Sequence, residues 1–292
     1  TFYNVEKAAQ SFVKFHEDYE CAYSAMAPAH SGRTLDALKY KLIRWPGSQV
    51  PGSSLADTTS FQYVEKEYML PQDYDELIAN PEGYMMRKFL PKICDGLSGL
   101  AMMPNLFNMV EAVGAVPMFM AMSVGQLREA LETMLKAADQ AMADMIPTMQ
   151  ASMQIMGRFG APATIGGFTF APFDIIGDTM RGTRGIMLDM YRHPDKVLAA
   201  CEALIPISIE IAVQTAMMTR IPFVTIPLHK GADGFMSGKQ FEKFYWPSLK
   251  AQLLGLIDAG LIPVPIAEGS YNERLDIIAE SGLPAGKTVW MM

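Results

Sequence analysis

Histidine and cysteine are scarce in this chain, four and three among 292 residues. The cysteines, Cys21, Cys94 and Cys201, lie far apart and form no Cys-x-x-Cys pair. Neither a redox dithiol nor an even disulfide framework is legible in them. Three solitary thiols suit a reducing cytoplasm, each as a small buried hydrophobe. Basic charge is also short: 24 Lys and Arg against 31 Asp and Glu, net charge −7 and pI ≈ 5.2. With no long Lys/Arg run, the chain carries no nucleic-acid footprint. No stretch of eighteen uninterrupted apolar residues exists, so no membrane span is expected. The opening "TFYNVEKAAQ" lacks the charged-then-apolar pattern of a signal peptide.

What the chain has is apolar bulk. It is 50% hydrophobic and 19% charged, enough for one large α/β barrel or two smaller domains. Methionine is abundant, 24 residues, many of them between Met102 and Met156. Methionine is unbranched and polarizable, so it fills irregular gaps or lines adaptable surfaces. The simpler reading is a loosely specified helical core; the other is a functional lining.

Along the chain, Phe12, Phe15 and Tyr19 share one face of a first helix, and "CAYSAMAPAH" is strand-like and ends at His30. Residues 45–100 are dense in Pro and Gly and read as an irregular excursion. Within it the acidic, aromatic run Phe61–Glu76 reads as solvated. A Met-rich helical segment covers 101–157, with Ser123 as N-cap. "ATIGGF" is a strand, and Pro194 suits the first turn of a long helix. "IPFVTIPLH" is the continuously apolar strand of a parallel sheet. The next helix opens on a Ser237–Gln240 capping box, is kinked or restarted at Pro247, and closes at Gly260. "LIPVPIAEG", a short helix in "SYNERLDIIAES", and the strand "KTVWMM" complete a parallel βαβ series. With no initiator Met and a strand at the last residue, the chain reads as a piece of something longer.

Chemistry concentrates at two strand ends. "FVTIPLHKGADGF" runs apolar to His229 and breaks into glycines; the next strand ends at Glu268, also before a glycine. Residues at the C-terminal ends of parallel strands converge on one face of a barrel. His229 and Glu268 are therefore expected at one point, as metal ligands or as an acid–base pair. The structural alternatives are a hydrogen-bonded histidine and a carboxylate capping the following helix. Asp233 is a candidate ligand or a turn residue. Tyr271 and Arg274 are candidates for the same mouth or for a solvated helix. Asp174 and Arg181 are candidates for binding a polar substrate. His16, His30 and His193 have no partner by spacing.

"ATIGGFTFAPFDIIGDTMRG", "MYRHPDKVLAACE", "HKGADGFMSGKQFEKFYWPSLKAQL" and "PVPIAEGSYNERLDIIAE" together resemble the uroporphyrinogen decarboxylase superfamily. The resemblance runs from about residue 160 to the end, and more loosely from "LIRWPG" and "FQYVEKEYM". It implies a single (βα)8 TIM barrel over 1–292, incomplete at both ends, without the first strand and the last two βα units. It also implies one of two activities: decarboxylation of uroporphyrinogen without a cofactor, or methyl transfer involving a corrinoid protein, with zinc assisting.

The decarboxylase branch carries an arginine-rich N-terminal loop and an aspartate after its second strand, and neither is visible here. The methyltransferase branch has His-x-Cys where this chain has "HKG", so His229 matches and Gly231 replaces the thiolate. Glu268 stands where the branch has a glutamate ligand. A metal held by nitrogen and oxygen, without that thiolate, is a stronger Lewis acid. That favours taking a methyl group from a methoxylated or otherwise methylated small molecule. The expected enzyme is thus a cytoplasmic methyltransferase in which His229 and Glu268 hold zinc, with Asp233, Tyr271, Arg274 and Asp174 around the substrate. Cobalamin would arrive on a separate corrinoid protein, because no "DxHxxG" motif is present; a homodimer is compatible with the sequence. The alternatives are a porphyrin-type decarboxylase and a non-catalytic barrel subunit.

Overall fold

Apolar strands that alternate with amphipathic helices must bury both faces of a sheet, and the C-terminal half does this. A computed structural model describes residues 2–21, 23–24, 31–161 and 163–292. His30 and most of its strand-like approach lie outside the described residues. The chain is a mixed α/β protein, mostly helical, with two small three-stranded sheets. It divides into two compact units, Thr1–Val64 with Glu82–Pro162, and Glu65–Pro81 with Ala163–Met292.

In the first unit, β1 (Ile43–Pro46) pairs parallel with β2 (Ser54–Leu55) and antiparallel with β3 (Gln62–Tyr63). The 45–100 segment is therefore more regular than its composition suggests. Trp45, fully buried on β1, donates its indole N–H to the Tyr3 hydroxyl. The helix Val5–Asp18 packs on the 35-residue helix Gly125–Phe159 through Ala9, Val13, Ala151 and Ile155. His16 is buried in the helix Val5–Asp18, with Nδ1 against the Phe12 carbonyl.

The methionines correct the simpler reading of the sequence. Met102, Met120, Met142, Met149 and Met153 are all exposed, and of the helix Ala112–Met122 only Met118 is buried. Composition reported apolar residues without saying which side of the helix meets the core. Ser123 does not cap the long helix either. It ends the preceding one, with its hydroxyl on the Met120 carbonyl.

In the second unit, β4 (Gly167–Phe168), β5 (Phe223–Leu228) and β6 (Ile262–Ala267) run parallel in sequence order. The final segment adds to the same sheet: the N–H groups of Val289 and Met291 donate to the carbonyls of Pro263 and Pro265. In a parallel ladder, alternate residues face opposite neighbours. Proline lacks the N–H donor; the carbonyls of Pro263 and Pro265 face the final segment, so their missing N–H groups fall on that side and the pairing of β6 with β5 is left intact. Among the described residues these strands do not close into a barrel.

The helix Pro194–Thr219 starts on its proline. It is long and apolar enough to cross a membrane by length and composition, and Ala200, Cys201, Leu204, Ala212 and Ala216 are buried on it. The capping box of Ser237 and Gln240 forms as expected. A π-helical turn, Phe241–Tyr245, precedes Pro247, which sits in the first turn of a new helix, Trp246–Asp258. All three cysteines are free, and burial pushes the thiols of Cys94 and Cys201 up to about 11 and about 12. Thiols held protonated in this way are inert packing groups.

Candidate functional site

Parallel register places the two strand ends side by side. Leu228 pairs with Ala267, so His229 and Glu268 are the next residues on neighbouring strands. The N–H of Glu268 donates to the Leu228 carbonyl at 3.1 Å. Beyond the strands, Nε2 of His229 lies 3.4 Å from Oε2 of Glu268. The Glu268 side chain is 57% exposed and that of His229 31%, so the pair faces an accessible edge.

Two aspartates that follow β4 hold His229 in place. After Phe168 the chain turns through Pro172–Asp174 into a π-helical turn, Ile175–Met180. Residues four apart on a helical turn share a face, and here Asp174 and Asp178 both point at the start of the β5 loop. Asp178 Oδ2 meets His229 Nδ1 at 2.5 Å, and its Oδ1 lies 3.2 Å from Lys230 Nζ. Asp174, fully buried, accepts the backbone N–H groups of His229 (3.1 Å) and Lys230 (2.9 Å) and the Tyr245 hydroxyl (2.6 Å). Lys230 also donates to the Thr183 hydroxyl at 2.9 Å.

The titration of these groups follows from the arrangement. The hydrogen bond that His229 gives to Asp178 raises its pKa above the ordinary histidine value, against the opposing effect of burial, with the charges of Asp178, Asp174 and Glu268 adding to it. Burial, and then the charge of Asp178, raise the Asp174 carboxyl to about 6. Two carboxylates and a histidine thus share a small volume with one lysine.

The other sequence candidates have structural positions. Arg274, expected at the mouth, is fully buried: it donates to the carbonyls of Gly231 and Met236 and stacks its guanidinium 5.1 Å from the Phe241 ring centroid. Tyr271, also expected there, is buried behind Gly231. Asp233 accepts the Ser270 hydroxyl (2.7 Å) and the Glu273 N–H (3.2 Å), tying the two strand-end loops together. Burial opposes its ionisation, but those bonds and the Arg274 charge hold it below the usual carboxylate range. Asp174 meets backbone rather than open space and is a positioning residue. Arg181 is buried in a bidentate pair with Asp189. His193 joins two helices as C-cap of one and N-cap of the next. The acids of the 61–76 run are not simply solvated: Glu67 pairs with Arg181, Asp75 with Lys196, and Glu65 accepts the Thr183 N–H. Asp178 carries no sequence signal beyond its four-residue spacing from Asp174, and Lys230 none beyond its place beside His229.

Gly231 has no room for a side chain. A Cβ there would lie 2.7 Å from Tyr245 Cε1 and 2.9 Å from the Tyr271 hydroxyl. Any side chain, cysteine included, must displace a buried aromatic ring. Gly231→Ala is therefore expected to cost about 1–3 kcal/mol by overpacking, read from urea denaturation. A variant as stable as the wild type would show that Tyr245 yields freely.

No protein-family model matches this chain, and no curated protein matches it.

Proposed function

We propose that the strand-end edge of β5 and β6 is the active site of a methyltransferase, with His229 and Glu268 holding a zinc ion. The reaction moves a methyl group from a small methoxylated or methylated compound to a corrinoid protein, which brings the cobalamin. The finer architecture we propose is the singly wound (βα)8 barrel, of which β4, β5, β6 and the final segment are consecutive parallel members. The resemblance in the site-bearing motifs and this strand order support both readings.

The observation that carries the site is the 3.4 Å separation of His229 Nε2 and Glu268 Oε2. It exceeds the usual range of an N–H···O bond. It is instead about the edge between two donors of a tetrahedral zinc with bonds of roughly 2.0–2.2 Å. The donor set is nitrogen and oxygen, and His229 has the carboxylate behind its second nitrogen that metal-bound histidines use. Among the described residues no group of three or more His, Cys, Asp or Glu is gathered for a metal, so the pair offers two of the three protein ligands that a catalytic zinc takes.

The chain's own residues divide the work. Asp178 accepts the Nδ1 proton, which fixes the tautomer and turns the Nε2 lone pair toward Glu268. Lys230 balances the charge of Asp178. Asp174 holds the backbone that carries both residues. The metal, when bound, supplies Lewis acidity toward the methyl-bearing atom of the donor.

Metal content by plasma mass spectrometry tests the proposal. About one zinc per chain is expected in wild type at pH 8, and much less in His229→Ala and in Glu268→Ala. Because Asp178 raises the His229 pKa, protons compete with the metal from a higher pH than at an ordinary histidine. Zinc should accordingly be lost as pH falls, and earlier than from a site with an unperturbed imidazole. Metal-free wild type would sink the zinc site.

The same raised pKa favours one other reading. An imidazolium at His229, kept by Asp178 beside the Glu268 carboxylate, is a general acid. A metal-free lyase of the decarboxylase type would use it to protonate a carbanion. A metal-free wild type with activity falling as His229 loses its proton would support that reading.

A further inference from the structure

The helix Gly182–Arg192, which follows the two site aspartates, forms one wall of a cavity. Its volume is about 800 Å³, the size of a site for an organic ligand. The walls carry four cations, Lys66, Arg181, Arg184 and Arg192, and two carboxylates, Glu65 and Glu67. In a chain of net charge −7, that is a local reversal of sign.

The carboxylates are already engaged. Glu67 pairs with Arg181 at 3.2 Å, and Arg181 is further held by Asp189 and the Met69 carbonyl. Glu65 accepts the Thr183 N–H at the start of the helix, and hydrogen bonding to Thr183, through its side chain first and its backbone second, holds the carboxyl below the usual range against burial. Among the described residues, the side chains of Lys66, Arg184 and Arg192 have no hydrogen bond or ion pair. Arg184, Leu188 and Arg192 recur every four residues and so lie along one face. At about 1.5 Å per residue, the two arginines are about 12 Å apart along the axis, with an apolar floor between them.

We propose that this cavity binds an elongated organic anion, with acidic groups at Arg184 and Arg192 and an apolar body against Leu188 and Met187. Arginine recognises carboxylate and phosphate by the same paired N–H geometry, so both acid chemistries are admitted. The cavity shares a wall with the site already described, since Thr183 lines it and accepts from Lys230. The proposal rests on the cavity alone and holds whether or not His229 binds a metal.

Titration calorimetry of the full chain at low ionic strength tests it, with decanedioate, decanoate and inorganic phosphate as probes. Decanedioate is expected to bind one site with a Kd of about 1 mM or tighter. It should bind at least about tenfold more tightly than decanoate or phosphate. Arg184→Gln with Arg192→Gln should weaken it by at least about tenfold, Lys66→Gln by less, and His229→Ala should leave it unchanged. Both arginines are solvent-exposed, so the double variant should melt with wild type, and Lys66→Gln gives a second reading should it not. No saturable binding, equal affinity in the double variant, or phosphate binding as tightly as decanedioate would each overturn the proposal. A preference for inorganic phosphate would show a simple anion site in its place.

Discussion

Arg181→Ala should destabilise the second unit by about 3–5 kcal/mol, the usual cost of breaking a buried ion pair from one side. The guanidinium and Asp189 are each about 2% exposed and meet at 2.5 Å (Nε to Oδ2) and 3.2 Å (Nη2 to Oδ1). Without the arginine, Asp189 stays buried with the Tyr74 hydroxyl at 2.9 Å as its remaining side-chain bond, and the Met69 carbonyl loses its donor. The loss therefore comes from a stranded charge more than from lost attraction. Arg181→Met combined with Asp189→Leu removes both charges and should recover most of the difference. Thermal melting of the three proteins decides it. If the double variant melts as low as Arg181→Ala, packing and not charge is what Arg181 supplies.

That arginine shows how the sequence misleads about polar residues near a strand end. Arg181, Arg274 and Tyr271 all follow strands, where substrate-binding groups gather, yet all three are buried, and the two arginines spend their donors on Asp189 and on backbone carbonyls. Sequence position places a residue at an edge of the sheet but says nothing about which way its side chain turns. His229 and Glu268 were legible for a firmer reason. A continuous apolar strand has one end, and parallel register between neighbouring strands forces their last residues together. Asp178 was harder to see, because its place depends on the π-helical turn after Pro172, a geometry that no periodicity encodes. The capping box at Ser237, the restart at Pro247 and the positive φ of Gly260 are local rules of backbone chemistry, and these are read reliably from a few residues. Closure of a sheet is not local, and the expected barrel outran what those rules can decide. The methionines failed for a related reason. Their spacing fits a helix, but burial depends on what lies opposite, and for Met142, Met149 and Met153 that is solvent.

Asp174→Ala is expected to cost about 3 kcal/mol at pH 5 and less at pH 7. The substitution leaves three buried donors, the N–H groups of His229 and Lys230 and the Tyr245 hydroxyl, without their acceptor, and an orphaned buried donor costs about 1–3 kcal/mol. The pH dependence follows from the raised carboxyl. Its folded pKa, about 6, lies above the unfolded value near 3.9, so between those values the folded state holds more protons. The contribution of Asp174 is therefore fully present below about pH 4 and is lost as pH rises through about 6. The alanine variant lacks this titration, so the gap between the two proteins must narrow from pH 5 to pH 7. Urea denaturation at both pH values measures it. A gap that is small at both would mean that the β5 loop is held by other contacts. A gap that widens with pH would mean that the carboxylate, and not the acid, is the form the fold prefers. Imidazole NMR adds a readout that stability alone does not move: with its backbone released, His229 should titrate closer to an ordinary histidine, because its bond to Asp178 depends on that loop staying where Asp174 holds it.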